Sequence, residues 1–190
     1  MFDSVLAQGS HYDNKLVLTD KDLERSAIVS PMLDLLRGKT ISMKSSGPSG
    51  YRLYRVVKLL QKYKCHAALT LVGVLIRNEA ISGNSSAMHL FEAAALLHDV
   101  TSCHALIRRA QSWYNLSDRT AGLGRADNVL ALKSQMDPTS WNITTFESVP
   151  PRELRALLRA IARGRSAGPI DWKVIADEYR RILTVSRSRR

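Results

Sequence analysis

Residues 53–76 read LYRVVKLLQKYKCHAALTLVGVLI, two helical periods in succession with different surface chemistry. In the first, Leu53, Val56, Val57, Leu60 and Tyr63 recur on one face while Arg52, Arg55, Lys58, Lys62 and Lys64 turn outward, which predicts an amphipathic helix over 51–64. In the second, Leu69, Val72, Leu75 and Ile76 lie on one face and Leu71 and Val74 on another. A helix apolar on two sides is expected to be buried on both, so 66–79 is predicted to be the central helix of a helical fold.

Working toward the N-terminus, Ser42, Ser45, Ser46, Gly47, Pro48, Ser49 and Gly50 mark a loop over 39–50. Before it, Ile28, Val29, Met32, Leu33, Leu35 and Leu36 recur at helical spacing over 26–36, with Pro31 near the start and Gly38 ending the helix. Residues 15–20, KLVLTD, form a short apolar run ending in a turn-like Asp and predict one strand. Toward the C-terminus, Gly83 and Asn84 break the chain, and Met88, Leu90, Phe91, Ala94, Ala95 and Leu97 resume it as a helix up to Asp99, followed by a companion helix over 101–114. Gly122 and Gly124 interrupt a polar stretch over 115–137, which includes a short helix at 127–134. Pro150 and Pro151 start a helix over 152–163, closed by Gly164 and Gly168-Pro169, and a 3-4 pattern from Trp172 to Leu183 sets the last one. The expected core is Leu33, Leu36, Leu53, Val57, Leu60, Leu69, Val72, Ile76, Phe91, Ala94, Leu106, Leu158, Trp172, Ile175 and Tyr179.

Composition bounds the function classes. With 190 residues, 45% of them apolar, and only 6 Pro and 10 Gly, the chain has the make-up of a folded domain and not of a disordered or collagen-like one. No apolar run approaches the ~18 residues of a membrane span, so no membrane association is expected. The opening MFDSVLAQGSHYDNK has no basic patch followed by an apolar core, which favours a cytoplasmic or nuclear, reducing location. The net charge of +11 is uneven: residues 152–190 hold 11 Lys and Arg against 4 Asp and Glu. A basic surface raises the encounter rate with nucleic acid, acidic lipid or an acidic protein without choosing among them.

Motifs that carry chemistry are sparse. Cys65-His66 and Cys103-His104 are sulfur–nitrogen pairs, but neighbouring residues on a helix point about 100° apart and zinc ligands need wider spacing. Both thiols are expected to be buried and structural, so no metal and no cofactor is expected. Gly122-Leu-Gly124 lacks the strand and the remaining glycine of a dinucleotide cradle. Asn84, Asn115 and Asn142 head glycosylation sequons by chance, given the expected location. Glu92, Asp99 and Glu147 show no spacing of an acid–base pair, so an enzyme is not expected. Basic helix faces at 52–64 and 152–165, with Arg187, Arg189 and Arg190, are able to contact phosphates, but no helix-turn-helix, zinc-finger or RNA-binding signature accompanies them.

The run Ser30-Pro-Met-Leu-Asp-Leu-Leu-Arg-Gly38, the segment 53–65 and Ala67-Ala-Leu69 together resemble the C-terminal half of a fungal BTB/POZ domain. There a helix ending in a Gly-containing turn precedes a helix of pattern L-Y-x-V-V-x-L-x-x-K-Y-x-C and a further buried helix. Leu16-Val-Leu-Thr-Asp20 with Asp22-Leu-Glu24 is similar to that family's strand and acidic turn. The likeness extends more loosely to Leu90-Phe-Glu-Ala-Ala-Ala-Leu-Leu-His-Asp99, to Val149-Pro-Pro-Arg-Glu-Leu-Arg-Ala-Leu-Leu-Arg-Ala160 and to Asp171-Trp172. The family's first strands and helices have no room ahead of Lys15, so the resemblance implies a truncated or diverged member in which the usual obligate homodimer is not expected. It implies a non-enzymatic interaction module, an adaptor or scaffold of the kind linked to ubiquitin ligases or transcriptional regulation.

The expected fold is mainly α, an α+β BTB/POZ-like remnant with one short strand or small N-terminal sheet. Its parts are a polar lead-in (1–14), the BTB/POZ-like half with its following helix pair (15–110), a helical extension (111–185) and a basic tail (186–190). The expected partner is another protein, received on a patch near Leu16, Leu18, Ile28 and Val29. The alternative is a basic helical nucleic-acid-binding protein.

Overall fold

Asp20 forms a reciprocal cap: its Oδ1 accepts the N–H groups of Asp22 at 3.1 Å and Leu23 at 3.0 Å, while Glu24 Oε2 accepts the Asp20 N–H at 2.7 Å. The turn feeds α1 (Ser26–Leu36). In this computed structural model the described residues are 20–39, 49–82, 87–110, 134, 136–165 and 170–185, with the backbone alone at 49–52. After α1 come α2 (Ser49–Lys62), α3 (His66–Ser82), α4 (Ala87–Leu96), α5 (Val100–Arg108), α6 (Ile143–Ser148), α7 (Pro151–Arg165) and α8 (Trp172–Val185), with a 3₁₀ turn at Pro138–Ser140. The protein is mainly α, and the described residues contain no strand. Residues 15–19 of the expected strand, the lead-in, the expected helix at 127–134 except Ser134, and the basic tail lie outside the described residues.

Three helices end alike. Gly38, Lys64 and His98 take left-handed φ values of 73°, 54° and 53°, and the next N–H reaches back to Asp34, Leu60 and Ala94 carbonyls respectively. This is the Schellman closure, in which a left-handed residue satisfies the last carbonyls of a helix. Two expectations about breakers need correction. Pro31 stands well inside α1, beyond the first turn, where its missing N–H leaves the Ala27 carbonyl without its intrahelical donor. Gly164 continues α7 instead of ending it: it is buried, and a Cβ there would lie 2.7 Å from Ile175 Cγ1 on α8. The glycine serves a close helix crossing.

The central helix is α4, not α3. Ala87, Met88 and Leu90 to Ala95 are all buried, Glu92 among them. Its consecutive Ala93, Ala94 and Ala95 let neighbours approach from every side, so α2 and α5 both pack on it. The α8 helix packs on α5 and α7, and Phe91 of α4 meets Trp141 and Tyr179 with ring centroids 6.4 and 6.1 Å apart. One continuous apolar cluster therefore runs from α1 to α8.

Most expected core residues are buried, Leu53, Val57, Leu60, Val72, Ile76, Phe91, Ala94, Leu106, Trp172, Ile175 and Tyr179 among them, with Leu69 half-buried against the cluster. Leu33, Leu36 and Leu158 are exposed. The buried face of α1 is Ile28, Met32 and Leu35, and that of α7 is built on Glu153, Ala156, Leu157, Ala160, Ile161 and Gly164. Leu33 and Leu36 on α1 and Leu158 on α7 turn outward, while Leu154 is half-buried against the core.

Candidate docking face

Of the residues expected to form a partner patch, Leu16 and Leu18 lie outside the described residues. Ile28 is 3% exposed and Val29 is half-buried against the core, because both belong to the side of α1 that the fold covers. Neither offers an open apolar surface.

The two Cys-His pairs do not converge. Cys65 is half-buried, its thiol donates to the Tyr63 carbonyl at 3.6 Å, and burial pushes its pKa up. Cys103 is sealed beside the Tyr179 hydroxyl, and burial pushes its thiol far above the usual range. A nucleophilic cysteine needs the opposite shift and an open approach. His66 is exposed, whereas His104 Nε2 meets Asp177 Oδ1 at 2.8 Å and holds that carboxyl below its ordinary range. Among the described residues no three His, Cys, Asp or Glu side chains are placed to hold a metal ion.

The buried carboxylates tie helices together. Glu92 accepts the Ser148 hydroxyl at 2.6 Å and lies 3.1 Å from His89 Nδ1. Glu153 Oε1 lies 2.7 Å from His98 Nδ1. Among the described residues, Glu153 Oε2 is buried without a hydrogen-bond partner, while the buried Tyr179 hydroxyl lies against the Cys103 thiol.

Several basic side chains of α2 and α7 are paired within the described residues. On α2, Lys62 bridges to Glu24 at 2.6 Å and Asp20 at 3.5 Å, Arg55 donates to the Asp22 carbonyl at 3.4 Å, and Lys58 stands over the Tyr54 ring at 4.7 Å. On α7, Arg152 donates to the Leu183 carbonyl, Arg163 pairs with Glu178, and Arg165 meets Asp137 at 2.9 Å. Arg155 and Arg159 are exposed, and among the described residues no group pairs with either guanidinium.

One open apolar surface is on α3. Its buried residues Ala68, Val72, Ile76 and Ala80 form one face. Opposite them Leu71, Val74 and Ile81 are 45%, 50% and 72% exposed, recurring at spacings of three and seven that keep them in one line. Val74 also borders a shallow groove shared with Leu69, Gly73, Leu97 and the Arg77–Asp99 ion pair, whose charged atoms are 3.1 Å apart. The apolar line and the groove thus form one continuous face with a single ion pair at its edge. Sequence reading marked Leu71 and Val74 as a second apolar face and missed Ile81, which lies beyond the expected end of the helix. No helix among the described residues is long and apolar enough to cross a membrane. Comparison with protein-family models, with curated proteins and with solved structures gives no match to this chain.

Proposed function

We propose that the chain is a non-enzymatic protein-interaction module that receives a partner protein on the outer face of α3. One observation carries this reading: α3 is apolar on two sides and the described residues cover only one of them. Exposed apolar surface concentrated in one line marks a binding site, whereas singly scattered residues do not. The adaptor role, and its link to ubiquitin ligases or transcription, rests on the BTB/POZ resemblance, which consists of packing residues. The α3 face supports the interaction function whichever family the chain belongs to. The nucleic-acid reading draws on the +11 charge, the basic helix faces at 52–64 and 152–165 and the basic tail, and the pairing of Arg55, Lys62, Arg152, Arg163 and Arg165 with other groups of the chain weighs against it.

Affinity capture with the purified chain at low and at high salt, read by mass spectrometry and repeated with Val74→Asp, tests the reading. A protein retained at both salt levels and lost with the variant is expected. Nucleic acid retained only at low salt would replace it with the phosphate-binding alternative.

A further inference from the structure

We infer that the outer face of α7, a surface separate from the α3 face, binds an acidic amphipathic helix of a partner protein. Pro151, Leu154, Leu158 and Ala162 form a shallow apolar strip, with Arg155 and Arg159 along it. Leu158 is 44% exposed and points away from the buried face of its helix. The spacing from Leu154 to Ala162 spans two turns, about 12 Å, which matches the apolar side of a short docked helix.

Charge selects the occupant. Arg155 and Arg159 lie one turn apart on the same edge, and among the described residues none pairs with either guanidinium, while Arg152, Arg163 and Arg165 of the same helix each have a partner. Two free guanidiniums beside an apolar strip complement a helix that carries leucine-like residues on one face and Glu or Asp at its edge. A second copy of the chain fits poorly, because it would bring the same arginines and the same +11 against them. A nucleic-acid backbone would engage two cations and leave Leu158 and Ala162 uncovered. The acidic helix is the occupant that uses both the strip and its edge.

The probe is a synthetic helical peptide with three leucines at i, i+4 and i+7 flanked by glutamates. Its binding to the full chain is read by fluorescence anisotropy, beside a peptide with lysines in place of the glutamates, a single-stranded oligonucleotide and vesicles containing phosphatidylserine. The acidic peptide is expected to bind preferentially and to lose about tenfold or more in affinity with Arg155→Glu/Arg159→Glu, the lysine peptide gaining on that variant. Leu158→Asp is expected to weaken binding as well. Both variants change exposed side chains, and their thermal unfolding confirms that they remain folded. Equal binding of the two peptides, or acidic-peptide binding unchanged by both variants, overturns the proposal. So does preferential binding of the oligonucleotide or the vesicles that is lost with the double arginine variant.

Discussion

His98 Nδ1 lies 2.7 Å from Glu153 Oε1, joining the left-handed turn after α4 to the first turn of α7. The Glu153 side chain is 1% exposed and its other oxygen has no partner, while His98 is half open to solvent. The buried carboxylate therefore depends on a histidine that water can reach. His98→Ala leaves both oxygens unpaired and is expected to lower stability by about 1–3 kcal/mol, the cost of an unsatisfied buried polar group. Adding Glu153→Met to that variant should recover part of the loss, since an apolar isostere carries no desolvation penalty. Urea unfolding of the two single variants and the double variant measures the coupling. Strictly additive losses would show that the pair does not act as a unit.

Gly164→Ala tests the crossing of α7 and α8. On helix propensity alone the change should stabilise by up to about 1 kcal/mol. The added Cβ, however, would meet Ile175 Cγ1 at 2.7 Å, inside contact distance and in a buried position. Overpacking of this kind costs about 1–3 kcal/mol, so a net loss is expected. Ile175→Ala should cost less in the Gly164→Ala background than in the native chain, a difference that thermal or denaturant unfolding resolves.

How much of this was legible in the sequence follows from which physical terms are local. Helix positions were readable because the apolar period is a property of neighbouring residues: 26–36 was read to the residue, and α2, α4, α7 and α8 to within a few. What covers each face is not local. Apolar residues on two sides of α3 gave the correct chemistry and the wrong burial, while Ala93, Ala94 and Ala95 made α4 the center through their small size, which a hydrophobic pattern underweights. Gly164 read as a stop because its close contact, Ile175, is on another helix. The short α6 was missed although Asn142 caps it, accepting the Thr145 N–H at 2.8 Å. The α7 surface was visible only as a basic face, since the partners of Arg152, Arg163 and Arg165 come from other segments.

The turn before α1 makes stability depend on acid pH. Lys62 hydrogen-bonds the Glu24 carboxylate, Tyr63 donates to it at 2.5 Å, and together with the Asp20 N–H they hold its pKa down at about 2 from an ordinary 4.5. A carboxyl with a depressed folded-state pKa contributes fully above its unfolded value and loses that contribution as pH falls through the folded one. Glu24→Gln should accordingly be less stable than the native chain near neutral pH, with the gap closing between about 4.5 and about 2. Denaturant melts of both proteins across that range give the comparison. A gap constant with pH would mean that the charge on Glu24 contributes nothing.

The two faces of α3 should respond differently to substitution. Val72 and Ile76 are fully buried in the cluster, so Val72→Ala and Ile76→Ala are expected to cost roughly 1–4 kcal/mol through lost burial and the cavity left behind. Leu71, Val74 and Ile81 on the opposite side are half exposed or more, and polar replacement removes no buried contact of comparable size. Leu71→Gln, Val74→Gln and Ile81→Gln should each shift stability by about 0.5 kcal/mol or less, as surface changes do. In light scattering at rising concentration, the same three variants should associate less than the native chain, because they dilute the exposed apolar line. Denaturant unfolding separates the alternatives. If the glutamine variants lose as much stability as Ile76→Ala, the outer face is covered within the chain itself and a partner has nothing there to bind. If they unfold like the native protein, the apolar face of α3 is present for a purpose other than holding the fold together.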